Sequence, residues 1–195
     1  MKIKQEDLEY LNSEFKGAGP EEIVNWNINN LTPNLAIMSS FQVSGMVILD
    51  IISKKTKNIP LFFIDTGYHF PETLKFRDKI IKEFGLNITT VKPNISHDKF
   101  EDIHGKELFN TSPDLCCSIN KIEPHERAMK DSGYNYWISG IRKDQSPERS
   151  NHEVFMRDNN GYVRVHPLLN WKWADVWKYL RKFNVPFHPL YDQGY

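Results

Sequence analysis

The sequence predicts an α/β domain in which a mostly parallel sheet is flanked by helices. Three observations carry that expectation. The apolar runs Leu35–Met38, Ile59–Asp65 and Asn87–Val91 are too short for buried helices and are rich in β-branched and aromatic residues. Helical stretches separate them, so strand and helix alternate along the chain. The first two runs are followed by Ser39-Ser40 and by Thr66-Gly67, where a chain leaving a sheet must turn.

The elements follow in order. LEYLNSEF carries apolar residues at helical spacing, and PEEIVNWNI opens with Pro and two acids, a favourable helix start. LAIM, bounded by Pro33 and by Ser39-Ser40, is a buried strand, and MVILDIISKK is a helix. IPLFFID is a second strand, ended by Thr66-Gly67. PETLKFRDKIIKEFG is a helix opened by Pro71 and closed by Gly85, and NITTV is a third strand. Residues 94–118 read as polar and irregular, with one short helix. INKIEPHERAMKDSG is a helix in which Pro124 marks a kink or the first turn. NYWISG is a strand and GIRKDQSPERS a charged loop. HEVFMR and YVRVHP flank Asp158-Asn159-Asn160-Gly161, a hairpin signal. WKWADVWKYLRKF is an amphipathic helix, with Trp173, Trp177 and Leu180 at helical spacing and assigned to the core. NVPFHPLYDQGY is loop.

Composition bounds the function. The 195 residues make one domain with a real core. Lys plus Arg (25) equals Asp plus Glu (25), which argues against a partner held by bulk charge, such as a nucleic acid or an anionic membrane. No apolar run reaches the roughly 20 residues of a membrane helix. The start of the chain lacks the apolar centre of a signal peptide, so a cytoplasmic protein is expected.

Four segments carry chemistry. In an open α/β sheet ligands bind beyond the carboxyl ends of the strands. Here those ends are Ser39-Ser40, Asp65-Thr66-Gly67 and Gly140-Ile141-Arg142. SSFQVSG joins a strand to a helix, so its hydroxyls and N–H groups suit an anion, or simply cap the helix. It lacks the Gly-Lys-Ser/Thr of the common phosphate loop. In FFIDTGYHFPET the acid and Thr-Gly suit a ribose or base edge, or serve turn geometry. GIRKDQSPERS sets Arg142, Lys143 and Arg149 beside Gln145 and Ser146, and Arg forks suit phosphate and sulfate oxygens; Asp144 and Glu148 leave a plain solvated loop as the alternative. In DLCCSINKIEP the adjacent Cys116 and Cys117 would form a strained ring if bridged, leaving metal or cluster ligation and simple burial as the two readings.

Read together, IDTGYHFPET, CCSINKIEP, SGIRKDQSPERS and VHPLLNWKWADVWKYL, in that order, resemble the adenylyl-sulfate and phosphoadenylyl-sulfate reductase family. The resemblance runs from about Leu35 to Tyr195. It implies a fold like that of the ATP pyrophosphatases, a Rossmann-like nucleotide-binding architecture. It also implies a two-step reduction. A cysteine thiolate attacks the sulfur of the bound nucleotide sulfate, giving an S-sulfocysteine and AMP, and thioredoxin or glutathione then releases sulfite. The Cys-Cys pair resembles the mark of the iron–sulfur branch, which prefers adenylyl sulfate to its 3′-phosphorylated form. Cys116 and Cys117 would supply two of the four ligands of a 4Fe-4S cluster.

By the same resemblance, Lys121 is the catalytic lysine between cluster and substrate. Ser39, Ser40, Phe41, Asp65, Thr66, Gly67, Arg142, Gln145, Ser146 and Arg149 are the substrate-binding residues. The first loop departs from the family's Ser-Phe-Gly-x-Glu-Asp, which leaves open the contacts of Gln42 to Gly45. The later Cys-x-x-Cys and the C-terminal catalytic cysteine are absent from these 195 residues. The chain is therefore expected to be a single nucleotide-binding reductase domain without its last segment, to bind adenylyl sulfate or AMP, and to be inactive alone. The oligomeric state, a homo-oligomer included, stays open. Three alternatives stand beside this: a phosphoadenylyl-sulfate reductase, a non-catalytic nucleotide-binding module, and an adenylating enzyme of the pyrophosphatase type. The last expects a Ser-Gly-Gly-x-Asp-Ser loop, which SSFQVSG is not.

Overall fold

The computed structural model describes residues 3–194. Helices α1 (Gln5–Glu14) and α2 (Pro20–Leu31) precede β1 (Leu35–Met38). Then come α3 (Val43–Ser53), β2 (Leu61–Ile64), α4 (Pro71–Phe84) and β3 (Ile88–Val91). The local signals explain these limits. In α4, Pro71 sits at the first helical positions, where its missing N–H costs nothing. Gly85 stops the helix in the left-handed conformation at φ 63°, and its N–H donates to the Ile81 carbonyl.

The strands form one six-stranded sheet in the order β3-β2-β1-β4-β6-β5, where β4 is Tyr136–Ile138, β5 Phe155–Arg157 and β6 Val163–Val165. All neighbours are parallel except β5 and β6, the hairpin predicted around Asn160-Gly161. The chain steps from β1 to β2 on one side, then returns to place β4 on the other. The order therefore reverses between β1 and β4, where open α/β sheets form a crevice.

Strand periodicity divides the core in two. Leu35, Ile37, Leu61, Phe63, Tyr136 and Ile138 face the larger cluster, shared with α1 to α4 and with α9 (Trp173–Lys182). The intervening Ala36, Phe62 and Trp137 face the other side, against Ala128 and Met129 of α8 (Glu123–Ser132). Both faces are covered, as a parallel sheet requires. The fold class predicted from sequence is therefore the one observed.

Three local expectations are corrected. Residues 94–118 are not mostly irregular: they hold α5 (His97–His104), α6 (Leu108–Thr111) and α7 (Pro113–Cys117). The helices are short and hang on a small cluster of Phe100, Leu108 and Cys116, too brief a pattern to show period in a polar sequence. The loops at 142–151 and 189–193 contain short 3-10 turns, Lys143–Gln145, Pro147–Asn151 and Pro189–Gln193. The end of the predicted terminal loop, Tyr195, lies outside the described residues. Trp173 is not core: it is 45% exposed. The buried stripe of α9 is Val176, Tyr179 and Leu180, one position out of step with the Trp173-Trp177-Leu180 stripe. Both stripes have helical spacing, so periodicity alone did not choose between them.

Pro124 lies in the first turn of α8, with no kink into separate helices. From Pro113 to Ser132 the chain is continuously helical, with a π turn over Ser118–Ile122 between α7 and α8. Pro124 has no N–H to donate to the carbonyl four residues back, and the wider turn absorbs that gap.

Candidate active site

A cleft of about 580 Å³ opens at the carboxyl ends of β1, β2 and β4. That is ample for a nucleotide-sized ligand. One wall is the loop after β1 with the first turn of α3, where Ser39, Ser40, Gln42, Ser44 and Gly45 line the space. The Ser39 hydroxyl accepts the Phe41 N–H at 3.1 Å, which folds this loop over the strand end. The loop also holds Phe41 at φ 60°, a left-handed conformation that is uncommon outside glycine. The Phe41 ring is fully buried against Phe63, with centroids 5.8 Å apart. Packing thus holds a strained backbone at the turn into α3, where Gln42, Ser44 and Gly45 line the cleft. The first N–H groups of a helix have no partner within it and carry its positive end.

Glycine at position 140 is a steric requirement. A Cβ there would lie 2.8 Å from the Ser44 carbonyl carbon and 2.9 Å from the Gly45 nitrogen. The end of β4 and the start of α3 touch backbone to backbone, and this contact closes the crevice at the sheet's reversal point.

The opposite wall is cationic. Lys121, Arg149 and Arg164 line it, with Glu126 as the opposing carboxylate. Lys121 is exposed and lies in the π turn, which sets it over the cleft from the helix that begins at Pro113. Gln145 sits between the two walls. Its Oε1 accepts the Arg142 N–H at 3.0 Å and also accepts a hydrogen bond from Arg149 Nη1.

The floor is Trp137, with His125 beside it at 4.1 Å between ring centroids and the Arg164 guanidinium 5.1 Å over the indole. Burial first, then the charge of Arg164, pushes the His125 imidazole down to about 4, so it is neutral near pH 7. His125 Nε2 and Trp137 Nε1 are buried without a hydrogen-bond partner. Both residues line the cleft, and unsatisfied buried polar atoms in a cleft mark where a ligand can bind.

The residues singled out in the sequence are distributed unevenly about this cleft. Ser39, Ser40, Thr66, Lys121, Gln145 and Arg149 line it together. Phe41 serves through its backbone, since its ring is core. Asp65 and Gly67 form a local turn in which Asp65 Oδ1 accepts the Gly67 N–H at 3.2 Å, while Lys92 Nζ lies 3.8 Å from Asp65 Oδ2. Ser146 does not line the cleft; it hydrogen-bonds Glu148, which lowers that carboxyl.

Arg142 is bound within the protein, with only 3% of its surface exposed. Its Nε donates to Asp144 Oδ1 at 2.8 Å, Nη1 donates to the Ser44 hydroxyl, and the guanidinium lies 5.4 Å from the Trp173 ring centroid. Asp144 Oδ2 accepts the Trp173 N–H at 2.7 Å. Arg142 therefore ties the charged loop to α3 and α9, and its guanidinium is not among the groups lining the cleft.

Cys116 and Cys117 lie outside the cleft lining. Cys116 is buried, and Asn120 Nδ2 is 3.7 Å from its Sγ; Cys117 is exposed. Neighbours on a helix point about 100° apart. One thiol therefore enters the Phe100–Leu108 cluster and the other faces solvent. Among the described residues no group of three or more His, Cys, Asp or Glu could hold a metal ion. These two thiols do not by themselves make a cluster site.

Sequence reasoning missed Ser139, His125, Trp137, Arg164 and His166. Trp137 and Arg164 had no signal beyond lying on strands. Ser139 stands next to the predicted strand end at Gly140, one residue from the signal that was read. His166 follows β6, and the hairpin reading did not show that β6 pairs with β4, which brings His166 beside Ser139.

Comparison with known proteins agrees with this geometry. The family model described as the phosphoadenosine phosphosulfate reductase domain matches residues 34–195. The chain is 36% identical over 183 residues to the adenosine 5'-phosphosulfate reductase of Bacillus velezensis, covering 93% of this chain and 77% of that one. A crystal structure of the phosphoadenylyl-sulfate reductase of Candida auris, a phosphate complex, superposes with a TM-score of 0.86 at 34% identity, covering 100% of this chain and 94% of that one. The FMN adenylyltransferase of Candida glabrata, solved with ATP, shares the fold at a TM-score of 0.67 and 15% identity, over 98% of this chain and 62% of that one. With a cleft at the sheet's reversal point and a family match over most of its length, the chain belongs to the phosphoadenosine phosphosulfate reductase domain family.

Proposed function

We propose that this chain binds adenylyl sulfate and presents its sulfate to a thiolate, yielding sulfite and AMP. The observation that carries the reading is the cleft between the α3 N-terminus and the Lys121–Arg149 wall, beyond the carboxyl ends of β1, β2 and β4. An adenosine phosphosulfate is anionic at one end and aromatic at the other. The N-terminal end of α3 at Ser44 and Gly45, with Ser39 and Ser40, suits phosphate oxygens, and Lys121 with Arg149 suits the sulfate and the charge that grows on the leaving phosphate. Attack by a thiolate forms an S–S bond to the sulfate sulfur and breaks the S–O bond to the phosphate. AMP departs with that electron pair, and a second thiol then displaces sulfite to leave a disulfide. Neither Cys116 nor Cys117 lines the cleft, so the attacking thiolate is assigned to a cysteine outside these 195 residues, with thioredoxin or glutathione as reductant. Among the described residues no helix is long and apolar enough to cross a membrane, and the reading places the reaction in the cytoplasm.

The test is calorimetry with AMP, followed by sulfite release from adenylyl sulfate. The wild-type chain should bind AMP. Arg149→Ala should weaken binding about ten- to a hundredfold, the loss of one charge-assisted hydrogen bond of about 1.5–3 kcal/mol, with an unchanged melting temperature. Absence of AMP binding by the wild type would overturn the assignment. The chain alone should form no sulfite. A protein extended with the family's cysteine segment should turn over adenylyl sulfate faster than its 3′-phosphorylated form; a reversed preference favours the phosphoadenylyl-sulfate reading.

The cluster is a separate proposal: Cys116 and Cys117 contribute two of four thiolates, the rest lying outside this chain. Anaerobic iron and sulfide analysis should find little or no iron on the 195-residue chain and a stoichiometric cluster on the extended protein. A colourless extended protein would leave Cys116 and Cys117 as packing and solvent-facing thiols. No step above runs through a cluster.

A further inference from the structure

Ser139 follows β4 and lines the cleft beside Gly140. Its hydroxyl lies 3.1 Å from Nδ1 of His166, which follows β6. The register explains the meeting: β4 and β6 are parallel with Ile138 opposite Val165, so the next residues of the two strands stand side by side. His166 is completely buried, and its backbone N–H donates to the Val154 carbonyl at 2.8 Å. Its other ring nitrogen, Nε2, is buried without a partner. The ring stacks on His152 at 5.6 Å between centroids and 20° between planes. Such a buried, half-satisfied imidazole carries a cost that packing alone does not explain.

The tautomer follows from the surroundings. Burial, then His152, Arg164 and Arg149, push the His166 imidazole down to about 3, so the ring is neutral and carries one N–H. If that proton were on Nε2, it would be a buried donor with no acceptor, in the field of two arginines. On Nδ1 it donates to the Ser139 oxygen, and Nε2 keeps a lone pair in a positive field. An unsatisfied acceptor is tolerated better than an orphaned N–H. With its oxygen already accepting from His166, the Ser139 hydroxyl has its own proton free for the cleft.

We infer that Ser139 is a hydroxyl donor to an acceptor atom of the nucleotide bound in the cleft, and that His166 is the positioning residue that aims it. This rests on the reading of the cleft as a nucleotide site and adds one contact to it. The acceptor is an oxygen of the phosphate or a ring nitrogen of the base. His166 touches no ligand; it acts through Ser139 alone. The preferred orientation is built in before binding, because the neutral imidazole has a single donor and a single place to put it.

The experiment has two readouts. Nitrogen-15 spectra of the free chain, labelled in histidine, report the tautomer directly. His166 should show a protonated Nδ1 and an unprotonated Nε2 and should not titrate between pH 5 and 8; a protonated Nε2 overturns the inference. AMP binding by calorimetry is the second readout. Ser139→Ala should weaken it about tenfold, and His166→Leu should do the same. The double variant should lose no more than either single one, since the two act as a unit. His166→Asn, whose side-chain amide can donate from nearly the place of Nδ1, should recover most of the affinity, which a merely space-filling histidine would not require. Wild-type affinity in a folded Ser139→Ala chain overturns the proposal while leaving the cleft reading intact. A wild type that fails to bind AMP overturns both.

Discussion

Gly140→Ala is expected to lower AMP affinity about a hundredfold and to cost about 1–3 kcal/mol of stability. The added methyl carbon has nowhere to go. It would sit 2.8 Å from the Ser44 carbonyl carbon and 2.9 Å from the Gly45 nitrogen, and those atoms are backbone. Relief requires the start of α3 to move away from β4. Ser39, Ser40, Ser44 and Gly45 lie on one side of that gap and Arg149 on the other, with Gln145 between them. A displacement on the order of 1 Å therefore spoils the spacing between the two walls without unfolding the core. Thermal melting and calorimetry on the same sample separate the two effects. Wild-type affinity at an unchanged melting temperature would show that the β4–α3 contact is looser than its distances indicate.

Arg142→Ala should act differently from Arg149→Ala. Arg142 is buried, donates to Asp144 and Ser44, and packs on Trp173. Its removal takes away two hydrogen bonds and the cover over that indole. Asp144 is left without its cation, although its side chain is 31% exposed and can be partly hydrated. The expected cost is about 3 kcal/mol, below the upper range for a fully buried pair. For a domain of this size that lowers the melting temperature by on the order of 10 °C. AMP affinity should fall as well, because the Arg142 side chain ties the loop that carries Gln145 and Arg149 to Ser44 at the start of α3. Arg149→Ala removes binding alone. If Arg142→Ala melts with the wild type and only affinity falls, its guanidinium reaches the ligand, as the family resemblance implies.

The contrast between the two arginines shows what residue type can and cannot reveal. Both stand in one loop, both match the family motif, and both are forks suited to oxygen anions. Asp144 and Ser44 capture one of them, and Ser44 lies 98 positions away. Asp65 and Thr66 make the same point locally. Their side-chain oxygens accept backbone N–H groups two residues on, so the turn uses the acceptors that the chemistry suggested for a ribose. Thr66 still reaches the cleft wall, whereas Asp65 does not.

Short-range physics made much of the protein legible from sequence alone. The strand-and-helix alternation through β3, Pro71 and Gly85 at the ends of α4, and the Asn160-Gly161 turn depend on neighbours in the chain, and each stands where it was expected. So does the face of the sheet on which the cleft opens, because parallel strands place all their carboxyl ends on one side. Tertiary structure decided the rest. Which stripe of α9 is buried depended on the surface it met, and Trp173 was left outside to cover Arg142. The helices between 97 and 117 depended on a three-residue apolar cluster that has no period to detect. The cleft floor of Trp137, His125 and Arg164, and the pairing of Ser139 with His166, arise from strand order and register. No local interaction encodes those. Partners far apart in sequence meet only after the sheet has formed, and only then do burial and neighbouring charges decide which nitrogen of a histidine holds its proton.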